Sequence, residues 1–301
     1  MMKDNNILKS SLSKGAKIIL PEDNDPRVKD AILKLQDLGF NIINPSFLKE
    51  KKTVYKDIIL KKKFTKNWTE KTLNNFLKNP INLSFIALLN GDVDCSIAGA
   101  TVPTSEVIRS SLRIVGLKKS VDILSSSFFM VSQDSNIQYT YSDCAVIPEP
   151  NVNQLCSIAY EASVNHKLLS NTEPKVVFLS FSTMGSSEHY KVKKMQDAAQ
   201  LFNKKHPDII CDGEMQFDAA INSEIALKKN ANNIIKGDAN VFVFPDLDSG
   251  NIAYKITQHL SGYSAWGPLL QGLNKPIHDL SRGCTVDDIA AISMIAALQT
   301  V

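Results

Sequence analysis

The chain has 301 residues, of which 44% are hydrophobic and 22% charged, and its formal net charge is +3. These values are ordinary for globular proteins and exclude a disordered, collagen-like or coiled-coil chain. The length suits two α/β domains of about 150 residues each better than a single core. The mild net charge does not indicate a nucleic-acid-binding protein.

The N-terminal segment Met1–Asn6 is polar and lacks the apolar core of a signal peptide. The longest nearly apolar run, residues 289–298, is too short to cross a bilayer. We therefore expect a cytoplasmic protein without a membrane partner. The five cysteines form no CxxC pair and the five histidines no HExxH motif, so we expect neither a disulfide framework nor a metal site. A P-loop and a GxGxxG motif are also absent, and no tightly bound cofactor is predicted.

The basic residues are concentrated in one lysine-rich segment. Eight lysines fall within 18 positions, namely Lys49, Lys51, Lys52, Lys56, Lys61, Lys62, Lys63 and Lys66. A charge run of this kind is typical of a solvated surface. It is also compatible with a patch that attracts an anionic ligand, and both interpretations stay open.

In the first half of the chain, the pattern predicts strands at residues 17–20, 41–44, 94–99, 123–131 and 137–141. It predicts helices at residues 25–39 and 104–115, and an irregular helical region at residues 47–90. Asp25 is the predicted N-cap of the first helix, with Pro26 at its first position. Thr104 or Ser105 is the predicted cap of the next long helix. The two consecutive strands predict an antiparallel pair inside a mixed sheet.

A linker signal at residues 148–151 precedes the second half, where helices and strands alternate again. Helices are predicted at residues 152–169, 190–205, 218–229 and 250–260, and strands at residues 175–181, 209–214 and 240–244. Residues 263–278 look irregular because of Pro268 and Pro276, and a last helix covers 286–299. Repeated βα units indicate an α/β fold with parallel sheets covered by helices. A ligand crevice is expected at the carboxyl ends of strands, between two domains.

Three polar clusters follow predicted strands and precede helices, where the loops of an α/β protein face ligands. They are Gly99–Thr104 with Arg109 further along the helix, Ser180–Ser187, and Asp279–Thr285. The second cluster combines hydroxyl groups, a glycine and a helix N-terminus, which together can bind an anion. The same residue types also make ordinary turns and caps.

In the third cluster, Arg282 offers a planar fork for a phosphate, and Ser281 offers a hydroxyl beside it. Asp288 follows in the first turn of the last helix. The run from Thr285 to Asp288 resembles a capping box, so Asp288 is either a cap or a catalytic base. Arg109 can likewise be an ordinary surface arginine.

At these clusters the sequence resembles the phosphate acetyltransferase and phosphate butyryltransferase family. The stretches that carry the resemblance are Ile19–Glu22 with Asp25 and Arg27, Asp94–Ala100 with Arg109, Ile114 and Val115, Asp143–Val146 with Pro148 and Pro150, Asp212–Ala220, Phe244–Leu247, Gly250–Ile256, Gln271–Pro276 and Asp279–Gly283. The match covers most of the chain and is strongest from Asp92 onward. So many ordered matches are highly specific.

The resemblance implies a fold like that of the isocitrate and isopropylmalate dehydrogenases, with two α/β domains, a central cleft and a homodimer. The first domain would be discontinuous, comprising residues 1–147 and 273–301, and the second would comprise residues 148–272. The implied reaction is the reversible transfer of an acetyl group between acetyl phosphate and coenzyme A. Coenzyme A and the acyl phosphate would be substrates, and no nucleic acid would be involved.

The family mechanism implies that Asp288 takes the thiol proton of coenzyme A. A thiol titrates near 8.5 and an ordinary aspartic acid near 3.9, so this base would need a raised pKa or a proton transfer concerted with attack. Ser281 would hydrogen-bond the developing oxyanion or phosphate, and Arg282 would hold the leaving phosphate. Further substrate contacts are implied for Arg109, Ser182, Thr183, Gly185, Ser186, Asn251 and Lys255.

Three features depart from the family pattern. Met184 stands where the family usually has a lysine, which removes a charge beside the predicted anion site. Lys61–Lys63 stand in for an arginine, so the planar fork is lost. Residues 40–80 are shorter and poorly matched.

Two alternatives remain beside an active acetyltransferase. Pocket volume sets acyl length, so a propionyl or butyryl transferase is a same-class alternative. Phe181, Met184 and Phe217 are candidates for narrowing such a pocket. The other alternative is a catalytically silent module that binds acetyl-coenzyme A for regulation. A dehydrogenase is disfavoured, because dinucleotide and metal-carboxylate signatures are not evident.

Overall fold

The computed structural model describes residues 5–134, 137–229 and 234–300, so Met1–Asp4 of the N-terminal segment lie outside it. The helices are α1 (Asn5–Ser13), α2 (Pro26–Asp37), α3 (Phe47–Glu50), α4 (Lys52–Leu60), α5 (Glu70–Phe76), α6 (Pro80–Asn90), α7 (Thr104–Ile114), α8 (Val152–Ser170), α9 (Tyr190–Lys205), α10 (Phe217–Ile221), α11 (Ser223–Lys229), α12 (Leu247–Ser261) and α13 (Val286–Leu298). A 3₁₀ helix covers Lys63–Thr65. The strands are β1 (Lys17–Ile19), β2 (Asn41–Ile43), β3 (Cys95–Ala98), β4 (Ser125–Val131), β5 (Gln138–Ser142), β6 (Lys175–Leu179), β7 (Ile210–Met215), β8 (Val241–Val243), β9 (Ser264–Gln271) and β10 (Ile277–Asp279).

The chain divides into two compact units, which are described separately. The first comprises Met1–Lys118 and Leu273–Val301, and the second comprises Lys119–Gly272. Residues 119–147, which the sequence analysis assigned to the first domain, therefore belong to the second unit. The reason is that β4 and β5 pair with β8 and β9 rather than with any strand of the first sheet. The linker signal at residues 148–151 is an intra-unit connection that leads into α8.

The sheet of the first unit has four strands in the order β10-β3-β1-β2, all parallel. Its centre is apolar, since Ile18, Ile19 and Ile97 are buried. Helix α13 packs against α1, α2 and β3. Every α13 side chain from Ile289 to Leu298 is buried, as expected for a helix that is apolar all round. The C-terminal segment thus completes the core of the first unit.

The sheet of the second unit has six strands in the order β7-β6-β8-β5-β4-β9. Strands β5 to β8 run parallel, and β4 pairs antiparallel with both β5 and β9. The predicted antiparallel pair in a mixed sheet is therefore confirmed. Two apolar clusters cover the sheet, one of which includes α8 and α9 residues such as Leu155 and Phe202. The other includes Met215 and Phe242.

Three predicted elements were wrong. Residues 263–278 are not irregular, because they contain β9 and β10. The predicted helix at 218–229 is two helices that part at Asn222, whose side chain accepts the N–H groups of Glu224 and Ile225. Neither Thr104 nor Ser105 caps α7, since Pro103 is the N-cap and makes no side-chain cap bond. In the part of the chain that the structure describes, no helix has the length and apolar character needed to cross a membrane.

Candidate active site

In the first unit, three loops follow the adjacent parallel strands β1, β3 and β10 at the same edge of the sheet. The buried carboxylate of Glu22, just after β1, joins two of them. It accepts the N–H groups of Gly99, Ala100 and Thr101 at 2.5, 3.0 and 2.8 Å, and the Thr101 hydroxyl at 2.5 Å. The loop after β3 is therefore held by its own N–H groups against the residue that follows β1.

Asp279 ends β10 and has no exposed surface. Its Oδ2 accepts the hydroxyl of Thr104 at 2.5 Å, whereas its Oδ1 has no hydrogen-bond partner among the described residues. A Cβ atom at Gly99 would overlap with Oδ1, so only glycine permits this approach of β3 to β10. Burial raises the pKa of the Asp279 carboxyl to about 7. Asp279 thus links the start of α7 to the strand that leads into Ser281.

The loop that carries the predicted catalytic residues begins immediately after Asp279 and Leu280. It turns tightly, because Cys284 N donates to Ser281 O at 2.9 Å and Gly283 N donates to Ser281 Oγ at 3.3 Å. Ser281 and Arg282 are exposed, which is compatible with the substrate contacts predicted for them. Cys284 is buried, and burial raises the pKa of its thiol to about 11. This thiol stays protonated at neutral pH and is not set up as a nucleophile.

Asp288 lies half-buried in the first turn of α13 and takes part in a complete capping box. Thr285 Oγ1 accepts the N–H of Asp288 at 3.2 Å. In return, Asp288 Oδ2 accepts the Thr285 N–H at 2.9 Å and the Thr285 hydroxyl at 2.8 Å. Both bonds of the carboxylate reach Oδ2, so the box does not use Oδ1. A capping role and a base role are therefore compatible, with one oxygen for each.

Arg109 lies on α7 in the same unit and is exposed. Helix α7 packs against β10, and its first residue, Thr104, is bonded to Asp279. Ser281, Arg282, Asp288 and Arg109 thus all belong to elements that meet around the end of β10. Within the described residues, no hydrogen bond or ion pair fixes the direction of the Arg109 side chain, and its substrate contact stays a prediction.

In the second unit, the loop after β6 is organised around a buried carboxylate, that of Glu214. Glu214 Oε1 accepts the Ser182 hydroxyl at 2.8 Å and the Gly185 N–H at 2.7 Å. Glu214 O also accepts the Met184 N–H at 3.1 Å. Two successive residues, Met184 and Gly185, have positive φ angles of 47° and 82°, which turn the loop back on itself.

The remaining donors of this loop also bind protein groups. Ser186 Oγ accepts the Thr183 N–H at 3.1 Å, and the Thr183 hydroxyl donates to Gln216 Oε1 at 3.2 Å. Ser182 and Thr183 are buried, whereas Gly185 and Ser186 are exposed. Glu214 therefore accepts two donors, the Ser182 hydroxyl and the Gly185 N–H, that a bound anion would otherwise use. The phosphate cradle predicted for this loop stays a prediction, and it would require some of these bonds to be exchanged.

Asn251 and Lys255 lie on α12 of the second unit. The side chain of Asn251 donates to Cys144 O at 3.1 Å, which fixes α12 to the loop after β5. Gly250 precedes it, and a Cβ atom there would overlap with Asp143 O. Lys255 is exposed and lies over the ring of Tyr254, with Nζ 5.8 Å from the centroid. Asn251 thus has a structural contact, and the substrate contact of Lys255 stays a prediction.

Sequence reasoning missed the side chains that support these loops. Glu22, Asp279 and Glu214 are buried carboxylates that bind backbone or hydroxyl donors of the loops after β3 and β6, and Arg27 makes further contacts described below. A charged residue directly after or at the end of an apolar strand was the available signal. Among the described residues, no group of three or more His, Cys, Asp or Glu side chains could hold a metal ion.

Comparison with known proteins places this chain in a family. The sequence model described as phosphate acetyl/butaryl transferase matches residues 7–297. A phosphate acetyltransferase of Staphylococcus aureus (strain MSSA476) is 38% identical over 325 aligned positions, covering 98% of each chain. A phosphate acetyltransferase of Clostridium acetobutylicum is 36% identical, covering 94% of this chain and 86% of the relative.

Solved structures agree with the sequence comparison. The EutD phosphotransacetylase from Staphylococcus aureus is similar with a TM-score of 0.84 and 35% identity, covering 98% of each chain. A phosphotransacetylase from Streptococcus pyogenes is similar with a TM-score of 0.86 and 32% identity, covering 99% of each chain. The two-sheet α/β fold is therefore shared with phosphotransacetylases over nearly the whole length. The chain belongs to the phosphate acetyl/butyryl transferase family of acyl-transferring enzymes.

Proposed function

We propose that this protein is a phosphate acetyltransferase that interconverts acetyl phosphate plus coenzyme A with acetyl-coenzyme A plus phosphate. The observation that carries the proposal is the single short segment that presents Ser281, Arg282 and Asp288 at the end of β10 in a chain matched over residues 7–297. In thiol acylation by an acyl phosphate, a hydroxyl can donate to the oxyanion, a guanidinium can bind the phosphate and a carboxylate can take the thiol proton. No covalent enzyme intermediate is needed, because the thiol itself attacks the acyl carbon.

Asp288 is the proposed general base. Its Oδ1, which the capping box leaves unused, takes the proton of the coenzyme A thiol as the sulfur forms its bond to the acyl carbon. Oδ2 meanwhile stays bonded to Thr285 and holds the carboxylate in place. The capping box therefore fixes the orientation of the base, which reduces the entropy that must be lost during proton transfer.

Ser281 and Arg282 are proposed to stabilise the charges that develop during transfer. The Ser281 hydroxyl donates to the oxyanion of the tetrahedral intermediate, and Arg282 binds the phosphate oxygens as the carbon–oxygen bond to phosphate breaks. A planar guanidinium suits this task because it donates two parallel hydrogen bonds. Loss of one such donor commonly costs about 3 kcal/mol of transition-state stabilisation.

The experiment that tests this function gives the purified protein coenzyme A and acyl phosphates of increasing length. Thioester formation is followed by mass spectrometry, with kcat/KM measured for acetyl, propionyl and butyryl phosphate. We expect acetyl phosphate to give the highest kcat/KM, with a loss of roughly 10- to 200-fold for each mismatched methylene. A maximum at butyryl phosphate would instead assign the butyryl activity of the family.

A result without turnover for every acyl phosphate, together with retained coenzyme A binding by calorimetry, would contradict the proposal. It would favour the silent acetyl-coenzyme A-binding module. We propose no tightly bound cofactor for the reaction, because the thiol and the acyl phosphate supply all reacting atoms.

We also propose that the protein acts as a homodimer. Helix α12 exposes three apolar side chains at successive helical turns, namely Ile252, Ile256 and Leu260, which are 56%, 52% and 81% exposed. Such a stripe is one face of a helix that the described part of its own chain leaves uncovered. A second copy that presents the same stripe would cover it, as a two-fold interface requires.

Light scattering coupled to size-exclusion chromatography tests the dimer. The wild type should give twice the chain mass, and a variant with Ile252, Ile256 and Leu260 changed to serine should give the monomer mass at the same concentration. Leu33→Ser is a matched control on α2, since Leu33 is 59% exposed and lies in the other unit. A monomeric wild type, or a dimer that survives the triple change, would contradict this proposal.

All five cysteines are unpaired and buried. Free thiols persist in reducing compartments, and we propose a cytoplasmic location on that ground.

A further inference from the structure

Arg27 lies in the first turn of α2, between the loops that follow β3 and β10. The carboxylate of Asp25, the N-cap of this helix, holds it from one side. Asp25 Oδ1 accepts Nε of Arg27 at 3.1 Å, and Oδ2 accepts Nη2 at 2.8 Å. This two-point contact holds the pKa of Asp25 below its usual range and fixes the plane of the guanidinium.

The other donors of Arg27 reach backbone carbonyl groups of both loops. Nη1 donates to Arg282 O at 2.7 Å and to Cys284 O at 3.1 Å. Nη2 donates to Ala100 O at 3.0 Å. One guanidinium thus ties the loop that carries Ser281 and Arg282 to the loop after β3.

A guanidinium has five N–H donors, and all five of Arg27 have protein acceptors. One from Nε and one from Nη2 reach Asp25, one from Nη2 reaches Ala100, and two from Nη1 reach Arg282 and Cys284. No donor remains for a substrate phosphate. Arg27 therefore differs in kind from Arg282, whose side chain is exposed.

The loop depends on this support because it has little packing of its own. Ser281, Arg282, Gly283 and Thr285 are exposed, and Cys284 is the buried residue among them. The carbonyl groups held by Arg27 belong to the residues on either side of Gly283. Glu22, in the β1–α2 connection, binds N–H groups of the loop after β3, and Arg27, in the first turn of α2, binds carbonyl groups of the loop after β10.

We propose that Arg27 is a positioning residue, which orients Ser281, Arg282 and the α13 capping box for acyl transfer without touching substrate. This inference rests on the acetyltransferase function proposed above. Lysine cannot replace Arg27, since an ammonium group has three donors on a point charge and lacks the fixed fork.

The test compares Arg27→Gln and Arg27→Lys with Arg113→Gln, a control on the exposed surface of α7 in the same unit. Hydrogen–deuterium exchange is measured on peptides that cover residues 99–104 and 281–288. We expect both Arg27 variants to exchange about 10-fold faster in these peptides and at wild-type rates elsewhere, as for a local opening. The control should match the wild type. Unchanged exchange in both peptides would overturn the proposal whether or not the protein is an acetyltransferase.

The kinetic arm uses acetyl phosphate and coenzyme A, with kcat expressed per folded molecule. We expect kcat to fall about 100-fold in Arg27→Gln, as for a small misplacement of catalytic groups, and KM for both substrates to change less than about threefold. A loss confined to KM would make Arg27 a substrate contact and overturn the proposal. A loss of stability with unchanged kcat would make its role merely structural and overturn it equally.

Asp25→Asn keeps Arg27 but weakens its anchor, and asparagine caps a helix as well as aspartate does. We expect this variant to keep the stability of the wild type and to show intermediate loop exchange and intermediate kcat. It serves as the second variant if Arg27→Gln does not fold. Wild-type exchange and kcat in Asp25→Asn would contradict the orienting role of the fork. Inactive wild-type protein with fast loop exchange in Arg27→Gln would refute the proposed reaction alone.

Discussion

Asp279 combines complete burial, one hydrogen bond and one oxygen without a partner among the described residues. Burial is the main cause that raises its pKa from 3.8 to about 7, and the nearby carboxylate of Glu22 adds to the effect. Between these two values the folded protein binds more protons than the unfolded chain. The free energy of unfolding therefore contains a contribution that is full below pH 4 and is lost as the pH rises through 7.

Replacing Asp279 with asparagine removes this titration while keeping the shape and an acceptor for Thr104. We expect the free energy of unfolding of Asp279→Asn to increase relative to that of the wild type as the pH rises from 4.5 to 7.5. Urea unfolding at several pH values measures the difference. Parallel curves for the two proteins would show that Asp279 titrates normally in the folded state.

The role of a side chain could largely be predicted from the sequence where its hydrogen-bond partner is a near neighbour in the chain. Asp25 is the N-cap predicted for α2, with Pro26 at the first helical position, and Thr285 and Asp288 form the predicted capping box. Thr104 was misread because its hydroxyl binds Asp279, 175 residues away in sequence. Local hydrogen bonds follow from neighbours in sequence, but a long-range acceptor is invisible to such reasoning.

At the scale of elements, the loop after β6 has hydroxyl and N–H donors that bind a carboxylate of the protein itself, that of Glu214. The buried hydroxyl of Ser182 donates to Glu214 at 2.8 Å, so we expect Ser182→Ala to lower the free energy of unfolding by about 1–3 kcal/mol. If Ser182 keeps this bond to Glu214 when substrate is bound, KM for acetyl phosphate should change less than about twofold in this variant. Chemical denaturation and steady-state kinetics measure the two effects.

Ser187→Ala is the matched control, because the Ser187 side chain is outside the contacts of Glu214 and should affect neither quantity. A normal stability with a strongly raised KM in Ser182→Ala would instead support the phosphate cradle predicted for residues 182–186.

The approach of α12 to the loop after β5 depends on a glycine. A Cβ atom at Gly250 would overlap with Asp143 O and lie 3.1 Å from Cys144 Sγ. We expect Gly250→Ala to lower the free energy of unfolding by about 1–3 kcal/mol, the usual cost of overpacking. Gln200→Ala, on the exposed surface of α9 in the same unit, should change it by less than about 0.5 kcal/mol. If thermal unfolding gives Gly250→Ala the same stability as the control variant, the close packing of Gly250 against Asp143 is contradicted.

The helices and strands with regular periodicity were predicted within a few residues, and α9 coincides with the predicted range. β9 was missed because Pro268 argues against a central strand. In the structure β9 lies at the edge of the sheet, next to β4. On its open side there is no neighbouring strand among the described residues to which its N–H groups must donate. Edge position is a property of the finished sheet, so a proline in this place could not be interpreted from sequence.

At the scale of the whole molecule, the chain forms two units, and its C-terminal segment belongs to the first. The sequence suggested this return only through the resemblance to a family, since the order of strands β10-β3-β1-β2 joins residues far apart in the chain. The predicted boundary at residue 147 failed because prolines mark turns whether or not they separate domains. The cleft between domains and the dimer are not determined by either unit alone, and they stay predictions.

Asp288 is proposed to serve both as the carboxylate of the α13 capping box and as the general base, so its replacement should separate rate from stability. Asparagine at 288 keeps an acceptor for Thr285 but cannot take a proton. We predict that Asp288→Asn lowers kcat for acetyl-coenzyme A formation by about 10²- to 10⁴-fold and changes the free energy of unfolding by less than about 1 kcal/mol. Near-normal turnover in Asp288→Asn, with or without a loss of stability, would contradict the role of Asp288 as the base.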